Sequence, residues 1–452
     1  MSLKSRLQNS FCLWLVPMQI RNKFLLLWLC IGAAIRAGML WFVDYRFDGG
    51  DSLYYLNTAH NLIEYQVFSR EISVNPIPEF GRPPLYSVFI ALVESIFGGN
   101  LLYVQLAQLA ISLVTALLLT RIVALFAPWA VTSVFVLMML SPFEAVYTGA
   151  ILSETLTTFL LVASASAILT ISSSKRWAVG GILFGLCILT RDIYWPMILI
   201  IPGCWILFGK VDIRLRCLES LIFVLATFLV VLPWTVRNYH VAGRIVGVSE
   251  GRFGQAIWMG TWATNGAFTE NDAYGRVYPS QAFRSQAEKE LVSDALEKGK
   301  EGDAILRSLA IQRIFDEPVA VTGRYFARAP QLWFGTRFDV FQLNQEHFPR
   351  KSHSWVAVKI ILWSINSILI LLSIVGMVLT WRQRSHMMII FLPILYTAFI
   401  YFPLNSFEIR YSQPVYPFLL VFTGIALTNC ITKLSLFGIK KRIRIQSGAN
   451  FD

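Results

Sequence analysis

Charged residues are scarce in this chain of 452 residues. Asp, Glu, Lys and Arg together make up 15% of it, against 56% for the hydrophobic types. Soluble globular proteins carry about 25% charged residues. Apolar runs long enough to cross a bilayer also recur along the whole sequence. The composition therefore excludes an ordinary soluble protein and predicts an all-α polytopic membrane protein.

Cysteine and histidine are also sparse, and their positions exclude most metal and disulfide sites. The six cysteines lie in apolar stretches or at their ends, without a Cys-x-x-Cys pair, and the five histidines form neither His-x-His nor His-Glu-x-x-His. A disulfide framework or a zinc site is not expected. We expect no cofactor; a divalent metal held by Asp48 and Asp51 stays open as an alternative.

Acidic residues are the minority, and the formal net charge is +12. The basic residues fall in short loops and tails on one side of the apolar runs, which is the positive-inside pattern. This distribution explains the charge without nucleic acid. It predicts that both termini are cytoplasmic. We expect the protein in a bacterial inner (plasma) membrane.

The apolar runs predict about ten transmembrane helices, with three parts to the chain. Residues 1–236 are predicted to form an N-terminal membrane module with a first outer loop at 44–84. Residues 237–353 are predicted to form a mostly helical outer (periplasmic) segment. Residues 354–452 are predicted to contain the C-terminal membrane helices and a basic tail. Residues 85–98 are too short to span and predict a helix in the outer interface. The predicted spans are 24–43, 100–126, 128–147, 150–172, 177–190, 193–209, 217–236, 354–380, 387–403 and 412–432.

The first outer loop has the pattern of a membrane-surface helix. Gly49-Gly50 precede Asp51 in an N-cap position, and the following residues repeat apolar side chains at helical spacing. A turn stiffened by proline, Arg82-Pro83-Pro84, closes the loop. Further acids and arginines fall at the outer ends of spans, where ionisable groups are costly unless they face a cavity or a partner. The pattern therefore predicts a polar cavity on the outer side.

Several short motifs resemble one family: the integral-membrane GT-C glycosyltransferases that use polyprenyl-phosphate sugars. The branch that looks most similar contains the protein O-mannosyltransferases and the lipid A aminoarabinose transferases, of the glycosyltransferase family 39 type. The motifs are Gly50-Asp51 with Tyr55, Arg82-Pro83-Pro84-Leu85-Tyr86, Ser153-Glu154-Thr155-Leu156, Leu189-Thr190-Arg191, Pro233-Trp234-Thr235-Val236-Arg237-Asn238 and Arg410-Tyr411.

The resemblance implies a role for each of these positions. Asp51 would be the base that takes the acceptor proton in an inverting transfer. Asp48 is a rival because many relatives have Asp-Glu, whereas Ser52 follows Asp51 here. Glu154 would orient the acceptor or hold a second charge. The residues expected to bind the donor phosphate are Arg191, Arg237, Arg410 and Arg82, and those expected to line the substrate cavity are Tyr55, Tyr86, Asn238, Glu408 and Tyr411.

The implied function is transfer of a sugar from a polyprenyl-phosphate donor to a glycan, lipid or protein acceptor on the outer face. Membrane lipid is the other expected partner, and nucleic acid is not. For each residue a structural role is the alternative: an N-cap for Asp51 and ion pairs for the arginines. A transporter or flippase of lipid-linked or small polar substrates is the second functional reading, and a scaffold that binds a partner is the third.

Overall fold

The computed structural model describes residues 22–47, 50–171, 173, 175–251, 253–263, 282–298, 301–381, 384–404 and 408–446. These residues form seventeen α-helices and one pair of two-residue strands. In chain order the elements up to the end of the predicted N-terminal module are α1 (Asn22–Phe42), β1 (Val43–Asp44), α2 (Gly50–Glu64), α3 (Leu85–Phe97), α4 (Leu101–Phe126), α5 (Val131–Leu140), α6 (Pro142–Gly149), α7 (Glu154–Thr170), α8 (Lys175–Thr190), α9 (Met197–Phe208) and α10 (Ile213–Ala242).

The second half of the chain continues with shorter helices and ends in long ones. The elements are α11 (Phe253–Trp262), α12 (Gln286–Glu297), α13 (Asp303–Asp316), α14 (Pro318–Arg328), β2 (Gln342–Leu343), α15 (His353–Thr380), α16 (Arg384–Tyr401) and α17 (Tyr416–Gln446). A 3-10 segment, Ile409–Val415, leads directly into α17.

Among the described residues, five stretches are long and apolar enough to cross a membrane, and they confirm an all-α integral membrane protein. They are Lys23–Phe42, Leu101–Phe126, Ile213–Ala242, His353–Thr380 and Ile409–Thr432. The stretch predicted at 128–147 is a helix pair bent by 44°. The other four predicted spans correspond to α7, α8, α9 and α16, which are shorter than these five stretches. The total of ten spans therefore stays a prediction.

Capping side chains fix where several of the long helices begin. Asn100 accepts a hydrogen bond from the Leu102 amide at 2.9 Å at the start of α4. Asp212 accepts from the Arg214 amide at 2.8 Å at the start of α10. Each cap satisfies an amide that the helix itself leaves without a partner. The first-loop helix, α2, instead begins at Gly50, which has a φ of +58° that favours glycine.

Small residues bring the central helices close together. On α8, a Cβ at Gly181 would lie 2.5 Å from the Phe223 carbonyl oxygen of α10. The hydroxyl of Thr227 donates to the Gly181 carbonyl at 3.0 Å, and that of Ser164 on α7 donates to the Gly180 carbonyl at 2.8 Å. Because lipid supplies no hydrophobic drive between helices, such close packing and hydroxyl bonds hold the bundle together.

A strand pair fastens the first span to the segment before α15. Val43 pairs with Leu343 and Asp44 with Gln342 in antiparallel register. The Asp44 carboxylate also accepts from the Gln345 amide at 2.9 Å. This link was not predicted, and it holds the start of the first outer loop against a distant part of the chain.

The segment after α10 is mostly helical where it is described, as expected. Two buried tryptophans of α11, Trp258 and Trp262, form its core with Val292 of α12 and Leu306 of α13. Residues 264–281 lie outside the described residues. The domain boundaries themselves stay predictions.

The packing of α15 against α17 yields a stability prediction. A Cβ at Gly376 would lie 2.0 Å from the backbone oxygen of Phe422, whereas a Cβ at Gly203 in α9 would meet nothing within 4 Å. We expect Gly376→Ala to lower stability by about 1–3 kcal/mol, the usual cost of overpacking. Gly203→Ala should leave it unchanged or raise it slightly. Thermal unfolding of both variants in detergent, followed by fluorescence size-exclusion chromatography, measures the difference; equal behaviour of the two variants would contradict the close contact.

Candidate functional site

Asp51 lies in the first turn of α2 and is held between two arginines. Its Oδ1 accepts a hydrogen bond from Nη2 of Arg82, and its Oδ2 lies 3.2 Å from Nη1 of Arg410. The Asp51 side chain keeps 17% of its surface exposed. Pro83 and Pro84 follow Arg82 and restrict the backbone just before α3, which holds the guanidinium beside α2. The rival acid, Asp48, lies outside the described residues.

Arg410 joins this loop to the last membrane span. It sits in the 3-10 segment Ile409–Val415, and its Nε lies 2.7 Å from the Glu408 carboxylate while an Nη donates to the Tyr411 hydroxyl at 3.2 Å. The Glu408 side chain is 57% exposed. Arg410 therefore connects a mostly shielded acid, Asp51, to an exposed one.

A second ion pair lies next to the first. Nη1 of Arg191, at the end of α8, is 3.4 Å from the Glu154 carboxylate at the start of α7, and only 3% of the Glu154 side chain is exposed. The Arg191 guanidinium lies over the Tyr411 ring at 5.2 Å, and the Arg410 guanidinium lies over the same ring at 5.0 Å. Tyr411 thus lies between the two arginines, and its ring offers each of them a cation–π contact.

Two further tyrosines, Tyr55 on α2 and Tyr86 on α3, lie against each other. The rings of Tyr55 and Tyr86 meet edge to face at 4.8 Å, and the Tyr86 hydroxyl donates to Gln108 at 2.9 Å. Burial raises the pKa of the Tyr55 phenol. This phenol therefore stays protonated and can act only as a hydrogen-bond donor or acceptor. We call the set of Asp51, Arg82, Glu154, Arg191, Glu408, Arg410 and the tyrosines Tyr55, Tyr86 and Tyr411 the Asp51 cluster.

The charges around Asp51 fix its protonation state. Burial raises the pKa of Asp51. The positive charges of Arg82, Arg410 and Arg191, in that order of size, lower it by more than burial raises it, so that the pKa lies below the ordinary value of 3.8. Asp51 is consequently an anion at neutral pH. A carboxylate held this way is a weak base until a guanidinium is drawn away from it.

Two of the predicted residues lie outside the cluster. The Arg237 guanidinium donates to the backbone carbonyls of Glu79 and Phe68 and lies 4.7 Å from the Trp234 ring. The Asn238 amide donates to the carbonyl of Gly247 at 2.8 Å. Both residues fasten neighbouring loops to the end of α10. The structure therefore gives Arg237 and Asn238 structural contacts and does not bring them to Asp51.

A buried polar network behind the cluster was missed by the sequence analysis. Arg337 is fully buried and donates to Asn366 at 3.0 Å, to Gln413 at 3.1 Å and to Ser412 at 3.1 Å. Gln413 in turn donates to the buried Glu144 carboxylate at 2.7 Å. Because Ser412 and Gln413 belong to the segment that carries Arg410, the network holds that segment in place. The available signal was a single cation inside an aromatic run, LWFGTRFDVF.

A metal site is not formed by the described part of the chain: no group of three or more His, Cys, Asp or Glu residues there could hold an ion. Both oxygens of Asp51 face guanidinium groups. A divalent cation at Asp51 would have to compete with two fixed positive charges.

No protein-family model and no curated protein sequence matches the chain. Solved structures do match it. One is the oligosaccharyltransferase of Archaeoglobus fulgidus in complex with zinc and sulfate, at 14% identity and a TM-score of 0.48, over 94% of this chain and 51% of that one. The chain thus spans about half the length of that protein.

Two structures of ArnT from Cupriavidus metallidurans also match. The one bound to undecaprenyl phosphate has 11% identity and a TM-score of 0.41, over 90% of this chain and 78% of that one. The apo structure has 11% identity and a TM-score of 0.38, over 90% of this chain and 77% of that one. The matched structures are thus those of an oligosaccharyltransferase and of ArnT. At these values, the case for a function depends on the Asp51 cluster itself.

The lowered pKa of Asp51 leads to a prediction about acid stability. A carboxylate with a depressed folded-state pKa stabilises the fold above its unfolded pKa and loses that contribution as the pH falls through the folded value. The wild-type protein should therefore lose stability as the pH falls below about 3.8, and Asp51→Asn should lack this part of the loss. Thermal unfolding at pH 6 down to about pH 3 tests it.

The matched control is Asp294→Asn, since Asp294 is a half-exposed acid on α12 that pairs with Lys298. This variant should follow the wild-type curve. If Asp51→Asn also followed it, Asp51 would not be stabilised as an anion by the arginines.

Proposed function

We propose that the protein is a membrane glycosyltransferase that moves a sugar from a polyprenyl-phosphate donor to an acceptor on the outer face of the membrane. The observation that carries the proposal is the Asp51 cluster: one carboxylate between Arg82 and Arg410, with Arg191 beside it, at one end of the helix bundle. The motif resemblance supports the same reading, and the guanidinium groups could bond to a phosphate that replaces one of their carboxylate partners.

The reaction needs a base and a group that stabilises a leaving phosphate. Asp51 would accept the proton of the acceptor hydroxyl as its oxygen bonds to the anomeric carbon. The bond from that carbon to the phosphate oxygen breaks on the opposite face, and its electron pair leaves with the lipid phosphate. The configuration is therefore inverted. Arg82, Arg191 and Arg410 would stabilise the added charge, because guanidinium groups match phosphate oxygens in a water-poor site.

Phosphate binding and base activation would be linked, because they use the same arginines. A phosphate that bonds to Arg82 or Arg410 competes with Asp51 for them. The carboxylate would then be a stronger base when the donor is in place. The outer location follows from the positive-inside pattern and stays part of the proposal.

The first test concerns the base. Asp51→Asn keeps the size of the side chain and removes its basicity. We expect sugar transfer from a radiolabelled polyprenyl-phosphate sugar to fall by roughly 10²–10⁴-fold, the usual contribution of general-base catalysis, while the donor still binds. Unchanged transfer would remove Asp51 from the chemistry. Loss of donor binding in a folded variant would make it a binding residue instead.

The second test separates the arginines that face Asp51 from the one that does not. Arg410→Gln should lower transfer by roughly 10²–10³-fold, as removal of a charge-stabilising donor does in other enzymes. Arg237→Gln should mainly lower thermal stability, since Arg237 bonds to loop carbonyls. Comparable losses of turnover in the two variants, at equal stability, would contradict this division.

The alternative function, a transporter, gives a different result in the same assay. A transporter would move the lipid-linked sugar between leaflets without forming a glycosylated product.

A further inference from the structure

The exposed face of α14 carries no charge. Its exposed residues are Pro318, Val319, Ala320, Thr322, Gly323, Phe326 and Ala327. Two of them are large and apolar, with 85% of Val319 and 65% of Phe326 exposed. The charged residues of this helix turn away: Arg324 pairs with Glu317 at 3.2 Å, and Arg328 is buried and donates to the Gly260 carbonyl. Such a face is unusual for a helix in water.

A neighbouring helix of the same segment shows the ordinary pattern. On α12 the exposed face includes Lys289, Glu290, Asp294 and Glu297, while Val292 is buried against α11 and α13. The uncharged face of α14 is therefore a local property and does not reflect the composition of the whole segment. The exposed face of α12 carries charged side chains, as a face in contact with water usually does, and the exposed face of α14 carries none.

The position of α14 suggests what covers it. The Phe326 ring lies 5.1 Å from that of Phe402, which directly follows α16. Phe399, one turn earlier on α16, is 75% exposed. Tyr401 stacks on Tyr411 at 5.1 Å, and Tyr411 lies at the start of the membrane span Ile409–Thr432. An apolar surface thus continues from the end of α16 onto α14, beside the start of the membrane span Ile409–Thr432.

We infer that α14 is an interfacial helix, whose uncharged face lies in the membrane leaflet at the same end of the bundle as the Asp51 cluster. Val319 and Phe326 insert at the boundary between headgroups and acyl chains, as the apolar face of an amphipathic interfacial helix does. Phe315, near the end of α13, is also 78% exposed. The partner is lipid, and the inference does not depend on the proposed enzymatic function.

The contacts beyond α14 give this placement a consequence. The chain continues from α14 through a short turn to Leu332, whose carbonyl accepts a hydrogen bond from Ser412 at 2.7 Å. Ser412 belongs to the segment that carries Arg410. An interfacial α14 would therefore hold that segment at a fixed depth relative to the membrane surface.

Site-directed spin labelling of the full chain tests the inference. A background with the six native cysteines replaced by Ser or Ala carries one new cysteine, Val319→Cys or Phe326→Cys on α14, or Leu291→Cys on α12 as the matched apolar control. Each nitroxide-labelled protein is reconstituted into phosphatidylcholine–phosphatidylglycerol vesicles. The collision rates with oxygen, which concentrates in lipid, and with a water-soluble nickel chelate are then measured.

We expect the ratio of oxygen to nickel accessibility to be several-fold higher at positions 319 and 326 than at 291. Two results would overturn the inference. Equal ratios, with high nickel accessibility at 319 and 326, would place α14 in water. Low accessibility to both reagents would mean that protein covers the face, from a second copy or another partner. The control label at 291 shows in the same samples that the segment is folded and that water reaches α12.

Discussion

The pairing of the Asp51 carboxylate with two guanidinium groups is the interaction on which the candidate site depends. A carboxylate with only 17% of its surface exposed loses much of its hydration and stays ionised only if fixed positive charge replaces the water. Arg82 comes from the first outer loop and Arg410 from the start of the last membrane span. The ion pair between Asp51 and Arg410 therefore joins the first outer loop to the start of the last membrane span. Removing one partner would leave a shielded charge uncompensated, which costs more than the pair itself contributes.

Arg410 is well placed for this role because its own segment is fixed from behind. Arg337 has a φ of +56°, in the left-handed region, and this conformation directs a fully buried guanidinium toward Asn366, Gln413 and Ser412. A residue held in that region needs surrounding contacts that outweigh the strain. The buried network supplies them, so that the backbone around Arg410 is set by contacts other than those with Asp51.

The sequence predicted the parts of the site that follow from membrane energetics. Ionisable groups at helix ends are expected to face a cavity or each other, and this rule selected Asp51, Arg82, Glu154, Arg191 and Arg410 as candidates. In the structure these five side chains lie close together, and their roles in a reaction stay predictions. The same energetic rule does not predict which partner each of these charged side chains pairs with. Arg237 obeys it by bonding to backbone carbonyls, which leave no mark in the sequence.

The fold was also predictable only in part. Five predicted spans correspond to long apolar helices, because their hydropathy does not depend on tertiary contacts. The interrupted helices were harder to predict, since bends such as the one between α5 and α6 arise where Ser141 ends one helix and caps the next. The strand pair between β1 and β2 joins residues too distant in sequence for any local pattern to reveal.

The charges of the cluster also constrain what can bind there. Its three arginines, Arg82, Arg191 and Arg410, already face three acids, so an anionic ligand cannot simply add to an excess of positive charge. It must replace a carboxylate. Glu408 is 57% exposed and regains water most easily when it is displaced, whereas Glu154 is almost fully buried. An incoming phosphate would therefore bind first where Arg410 meets Glu408, next to Asp51. It would next weaken the ion pair between Arg410 and Asp51, the residue proposed as the base.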